Sequence, residues 1–131
     1  MNWGGLAQGF KIEAERPAGK KEATSMEEIL MEETLKTIVG IIVEAVDPDK
    51  IILFGSRSCE GWSYDSDYDI LVVKKGVYHR RRLAQQIYRE LSHVPVSIDI
   101  VLETPERLDR YSNTPGLVYA EALKGRVLYE R

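Results

Sequence analysis

The chain has 131 residues, 44% hydrophobic and 30% charged, an ordinary globular composition with enough apolar material for one core. Its formal net charge of -3 gives no general basic field, so strong non-specific nucleic-acid binding is not expected outside a local patch. A lone cysteine, Cys59, rules out an internal disulfide framework and a cysteine-rich zinc site. No apolar run approaches the roughly 18 residues of a membrane span, and "MNWGGLAQGF" lacks the basic-then-apolar order of a signal peptide. These features suit one domain in the cytoplasm.

Residues 1–25 are rich in glycine and charge, show no sustained period and include a breaker stretch from Pro17 to Lys21, which predicts a flexible arm ahead of a domain over 26–131. Ser25 and Glu28 form a capping box, and Ile29, Leu35, Ile38, Val39, Ile42 and Val46 follow at helical spacing until Asp47-Pro48 ends the helix. "KIILF" reads as a short buried strand stopping at Gly55. "YDILVV" reads as a second, stopping at Lys74-Lys75-Gly76, and the two can pair as neighbours.

Between Tyr78 and Leu91, the residues Leu83, Ala84, Ile87, Tyr88 and Leu91 mark the apolar face of a helix that should cover the sheet. "VSIDIVL" alternates, with Val96, Ile98, Ile100 and Leu102 on one face, so Asp99 points away from the bulky apolar side. Thr104-Pro105 and Thr114-Pro115 are each a cap followed by proline, predicting two short helices, and Gly125 closes the second before "RVLYE".

The chemistry gathers between the first two strands. Side chains alternate along extended chain, so Asp67 and Asp69 share a face about 7 Å apart, close enough to grip shared cations. Asp99, on a neighbouring strand, can supply a third carboxylate. Hard oxygen ligands of this kind suit magnesium, which commonly joins a few carboxylates to a substrate phosphate. Gly55-Ser56 permits a tight turn and close approach of a phosphate to the backbone, a helix starting near Ser56 would aim N–H groups at the anion, and Arg57 adds positive charge. Taken singly, each piece also has a plain reading as a solvated turn or a surface aspartate.

Order and spacing distinguish these readings. Gly55-Ser56, ten residues, then Asp67-x-Asp69 resembles the signature of the polymerase-beta-like nucleotidyltransferase superfamily, and within it the minimal nucleotidyltransferases (MNT). The resemblance covers residues 26–131 and includes "IILFGSRS", "SDYDILVV", the strand bearing Asp99 and the terminal "EALKGRVLYER". It implies an α+β fold, a small mixed sheet covered by helices. It also implies that Asp67, Asp69 and Asp99 are metal-binding and catalytic carboxylates for two magnesium ions, and that Gly55 and Ser56 hold the triphosphate of ATP. Arg57 and Ser66 match positions commonly seen beside the nucleotide. One departure is the turn glycine, which in the family falls one position earlier, where this chain has Glu60 before Gly61.

The resemblance further implies the antitoxin half of a HEPN/MNT toxin-antitoxin pair, transferring AMP from ATP to a tyrosine of the partner HEPN toxin. The chain shows no obvious second domain for a tRNA end or an antibiotic, which fits a protein acceptor. Two alternatives stand beside this reading: a non-catalytic antitoxin acting by occlusion, and a small-molecule adenylyltransferase of the antibiotic-modifying type. The run His79-Arg80-Arg81-Arg82 fits either a contact to RNA or an acidic partner, or an ordinary solvated helix face. His79 and His93 have no metal spacing with Cys59, whose default is a packed thiol. Trp62 and Tyr64 fit stacking on a base or covering the loop equally well.

Overall fold

This computed structural model describes residues 26–58, 66–112, 114 and 118–131, the side chains of Ser56 and Ser58 excepted. The expected arm, Ser25 of the capping box, Cys59, the Glu60-Gly61 departure, Trp62, Tyr64 and Pro115 therefore lie outside the described residues.

Helix α1 spans Met26–Val46 and turns Met31, Leu35, Ile38, Val39, Ile42 and Val46 inward, the stripe that a 3.6-residue period requires. It stops where Asp47 enters the left-handed region with φ 50° and bonds its N–H to the Val43 carbonyl at 3.0 Å. Pro48, which cannot continue a helix, follows.

Four strands form one sheet in the order β3-β2-β1-β4: β1 (Lys50–Phe54), β2 (Tyr68–Val73), β3 (Ile98–Glu103) and β4 (Arg126–Glu130). β1 pairs antiparallel with both β2 and β4, whereas β2 and β3 run parallel, so the sheet is mixed as expected. The parallel pair requires a crossover, and helix α2 (Arg80–Glu90) supplies it.

β1 and β2 are near-continuous apolar runs because both faces of the sheet are covered. One face joins Ile51, Leu53, Tyr68, Ile70, Val72 and Leu102 to α1 and α2 in the main core. The other carries Ile52, Phe54, Leu71 and Val73 against Leu108 of helix α3 (Pro105–Tyr111) and Ala122 of helix α4 (Val118–Leu123).

Thr104 caps α3 as expected, its hydroxyl accepting from the Arg107 N–H at 3.3 Å with Pro105 in the first turn. Where α4 gives way to β4, Gly125 lies on β1 so closely that a Cβ there would run into the Leu53 carbonyl. The strand read as beginning at Val96 begins at Ile98; Val96 is exposed and its N–H bonds to the Val94 carbonyl at 2.9 Å, a turn rather than a ladder.

The end of β3 is held by a buried charge. Glu103 is fully buried and accepts from Arg107 Nε at 2.8 Å, from Tyr119 Oη at 3.1 Å and from Arg80, tying β3 to α2, α3 and α4. Among the described residues no helix is long and apolar enough to cross a membrane.

Candidate active site

Strand alternation sorts the sheet's side chains onto two faces, and the acidic ones fall on the face away from α1 and α2. Tyr68, Ile70 and Val72 point into the main core, so Asp69 lies with Leu71 and Val73 on the other side. In β3, Ile98, Ile100 and Leu102 pack toward α1 and α2, which leaves Asp99 with Val101 on the side of Asp69. Leu108 of α3 and Ala122 of α4 pack on this face with Ile52, Phe54, Leu71 and Val73, and Asp69 stands at the Phe54 end, as the register partner of Phe54.

The parallel register sets Asp69 directly beside Asp99. Asp67 precedes β2, where it is exposed, and Asp99 is exposed as well. Asp69 is partly buried; burial first, then the charges of Asp99 and Asp67, raise its carboxyl above the ordinary aspartate range. Three like charges thus crowd one end of the sheet.

The turn leaving β1 completes this end. Gly55–Ser58 form a 3-10 turn, and Gly55 opens it with φ 74°. A Cβ at Gly55 would overlap Asp69 Oδ2, so the carboxylate occupies the space that a side chain would need. Gly55, Asp67, Asp69 and Asp99 are therefore brought together, with the backbone of Ser56 in the same turn.

Arg57 goes elsewhere. It is buried, its Nε donates to the Ser66 carbonyl at 2.9 Å, and its guanidinium carbon sits 4.1 Å from the centre of the Tyr68 ring. Tyr68 belongs to the main core, so this pair lies on the face of the sheet opposite the carboxylates. A pocket of about 330 Å³ opens there, lined by Arg57 and Tyr68 together with Leu30, Met31 and Thr34 of α1 and with Val96. Two contacts escaped the sequence reading: this stacking of Arg57 on Tyr68, and the Tyr88 hydroxyl of α2, which accepts from the Ile100 N–H at 2.8 Å. Tyr88 sits on the predicted apolar face, and a tyrosine there needs a partner for its hydroxyl, the one signal available.

The donor set suits a hard divalent cation: oxygen ligands only, negatively charged, on adjacent strands. In this side-chain arrangement, among the described residues, no three His, Cys, Asp or Glu side chains are grouped closely enough to ligate one ion. Mutual repulsion of the kind recorded at Asp69 is what a bound dication relieves.

Comparisons with known proteins bear on the same region. The family model described as "Polymerase beta, Nucleotidyltransferase" matches residues 36–131. A crystal structure from Sulfolobus solfataricus, of a protein to which nucleotidyltransferase activity is provisionally ascribed, superimposes with a TM-score of 0.54 at 24% identity. The match covers 72% of this chain and 85% of that one, a likeness of fold. No curated protein sequence matches.

Proposed function

The chain belongs to the polymerase beta nucleotidyltransferase family, and from that premise we propose that it transfers AMP from ATP to a hydroxyl group, specifically a tyrosine of a HEPN-family partner. The observation that carries the transfer reading is the register of Asp69 with Asp99 beside Asp67 and the Gly55 turn. A catalyst of this reaction needs negative oxygen ligands next to backbone groups that could hold a triphosphate, and the carboxylates beside the Gly55 turn support that reading.

Magnesium bound by Asp67, Asp69 and Asp99 would neutralise charge on the α-phosphate and make the acceptor hydroxyl more acidic. The chain's own groups then have separate tasks. The Gly55-Ser56 turn, where the missing side chain at Gly55 makes room for the Asp69 carboxylate, would hold the triphosphate through its backbone and orient pyrophosphate as leaving group. Asp99, exposed at the edge strand, would accept the hydroxyl proton. The acceptor oxygen forms a bond to the α-phosphorus, the bond from that phosphorus to the bridging oxygen breaks, and its electron pair leaves with pyrophosphate.

The acceptor assignment is supported by the resemblance to minimal nucleotidyltransferases. Exposure of Asp67 and Asp99 is compatible with an acceptor as large as a protein side chain. Incubation with α-labelled ATP, magnesium and a HEPN-family ribonuclease, followed by peptide mass spectrometry, tests it. AMP on a tyrosine of the ribonuclease is the expected result. Label on an aminoglycoside-type hydroxyl compound instead would favour the small-molecule alternative, and neutralisation without label would favour occlusion.

A further inference from the structure

Resting on the reading of Asp67 and Asp69 as cation ligands, we propose that Arg57 is a positioning residue that holds this pair in place from the opposite face of the sheet. Two of its contacts bracket Asp67: Nε bonds to the carbonyl of Ser66, the residue before it, and the guanidinium stacks on Tyr68, the residue after it. Tyr68 is also the residue between the two carboxylates. Fixing its ring on one face fixes the direction in which Asp67 and Asp69 leave the other.

The need for such a brace follows from position. Asp67 lies before the first residue of β2, where strands fray, and the ladder there begins with a bond from the Tyr68 N–H to the Ser97 carbonyl at 2.9 Å. Arg57 sits in the turn that leaves β1, so its bond to Ser66 closes the interval between the two strands. Both partners are inaccessible, Arg57 at 6% and Tyr68 at 3% exposure, and burial keeps the stack from being exchanged for water. A guanidinium can donate in its plane while stacking flat through its face; an ammonium has no plane to stack and cannot reproduce that geometry.

This role and a purely electrostatic one predict different outcomes for one measurement. Arg57→Lys keeps the positive charge, so electrostatics alone would leave the ion's affinity unchanged. A brace predicts weaker binding, since groups that orient metal ligands typically cost 10 to 100-fold in affinity when removed.

The test measures Mn2+ binding to the full chain by electron paramagnetic resonance, without nucleotide, in wild type, Arg57→Lys, Tyr68→Leu and Asp69→Asn. Amide hydrogen exchange is followed in parallel. Arg57→Lys and Tyr68→Leu should each weaken Mn2+ by about 10-fold or more. They should speed exchange at the residue 68 amide while leaving Leu53, in the middle of the sheet, unchanged. Unchanged or tighter Mn2+ binding in Arg57→Lys, with Asp69→Asn weakened, would overturn the positioning role alone. Wild-type Mn2+ binding by Asp69→Asn would overturn the carboxylate reading beneath it. Uniformly faster exchange, at Leu53 as at residue 68, would reduce Arg57 to a general contributor to stability and overturn the proposal.

Discussion

The carboxylate of Asp69 rests against the Cα of Gly55, in the place where any other residue would carry its Cβ. Gly55 also has φ 74°, so the position is closed to side chains on two counts, backbone conformation and space. Gly55→Ala should therefore destabilise the fold by about 1–3 kcal/mol in urea titration, from the left-handed backbone and the displaced carboxylate. Truncating the carboxylate in Gly55→Ala/Asp69→Ala should restore part of the loss and leave the backbone share. Full additivity of the two substitutions would show that the contact has no energetic weight.

Asp69 makes a pH-dependent prediction. Its folded-state carboxyl titrates above the ordinary aspartate range, owing first to burial and then to Asp99 and Asp67. The folded state therefore holds its proton more tightly than the unfolded state, and stability contributed by this group is lost as pH rises from the ordinary range through the raised one. Asp69→Asn should melt higher than wild type at neutral pH in the absence of divalent ions. That advantage should shrink as pH falls and wild-type Asp69 becomes protonated. A constant difference across the acid range would contradict the burial and charge crowding inferred at this residue.

Glu103 predicts an asymmetry between partners. It is fully buried, whereas the side chains of Arg80 and Arg107 are 42% and 39% exposed, so the arginines can reach water alone and the glutamate cannot. Removing both arginines should strand a buried charge and cost about 3–5 kcal/mol, more than Glu103→Gln, which removes the charge itself. Equal losses in chemical denaturation would mean that Glu103 is already neutral or solvated.

The sequence made the sheet's interior legible because its patterns are local. "KIILF" and "YDILVV" are near-continuous apolar runs of the kind a doubly covered strand requires, and the alternation in "VSIDIVL" correctly turned Asp99 from the core face. Pairing, strand ends and long side chains were less legible. β4 is an edge strand recognised only by its pairing with β1, and Val96 fits the alternation yet lies in a turn that the period cannot detect. Arg57 is the sharpest case. Its place beside Gly55-Ser56 suggests a phosphate contact, but a side chain of that length reaches either face of the sheet, and Tyr68 offers a ring on the buried one. Glu103 carries no local signal of burial; it is buried because α2, α3 and α4 converge on it.

Intact-mass measurement of the acceptor separates transfer of AMP by Asp67, Asp69 and Asp99 from occlusion. A HEPN-family ribonuclease is incubated with ATP, magnesium and either wild-type protein or Asp99→Asn, and both proteins are weighed. Asp99 lies at the exposed edge of the sheet and outside the apolar cores, so its substitution should leave the fold, and any complex with the ribonuclease, intact. Wild type should add the mass of one or more AMP groups to the ribonuclease, and Asp99→Asn should add none. Equal AMP addition by Asp99→Asn, or neutralisation of the ribonuclease by wild type with no added mass, would contradict transfer by these residues.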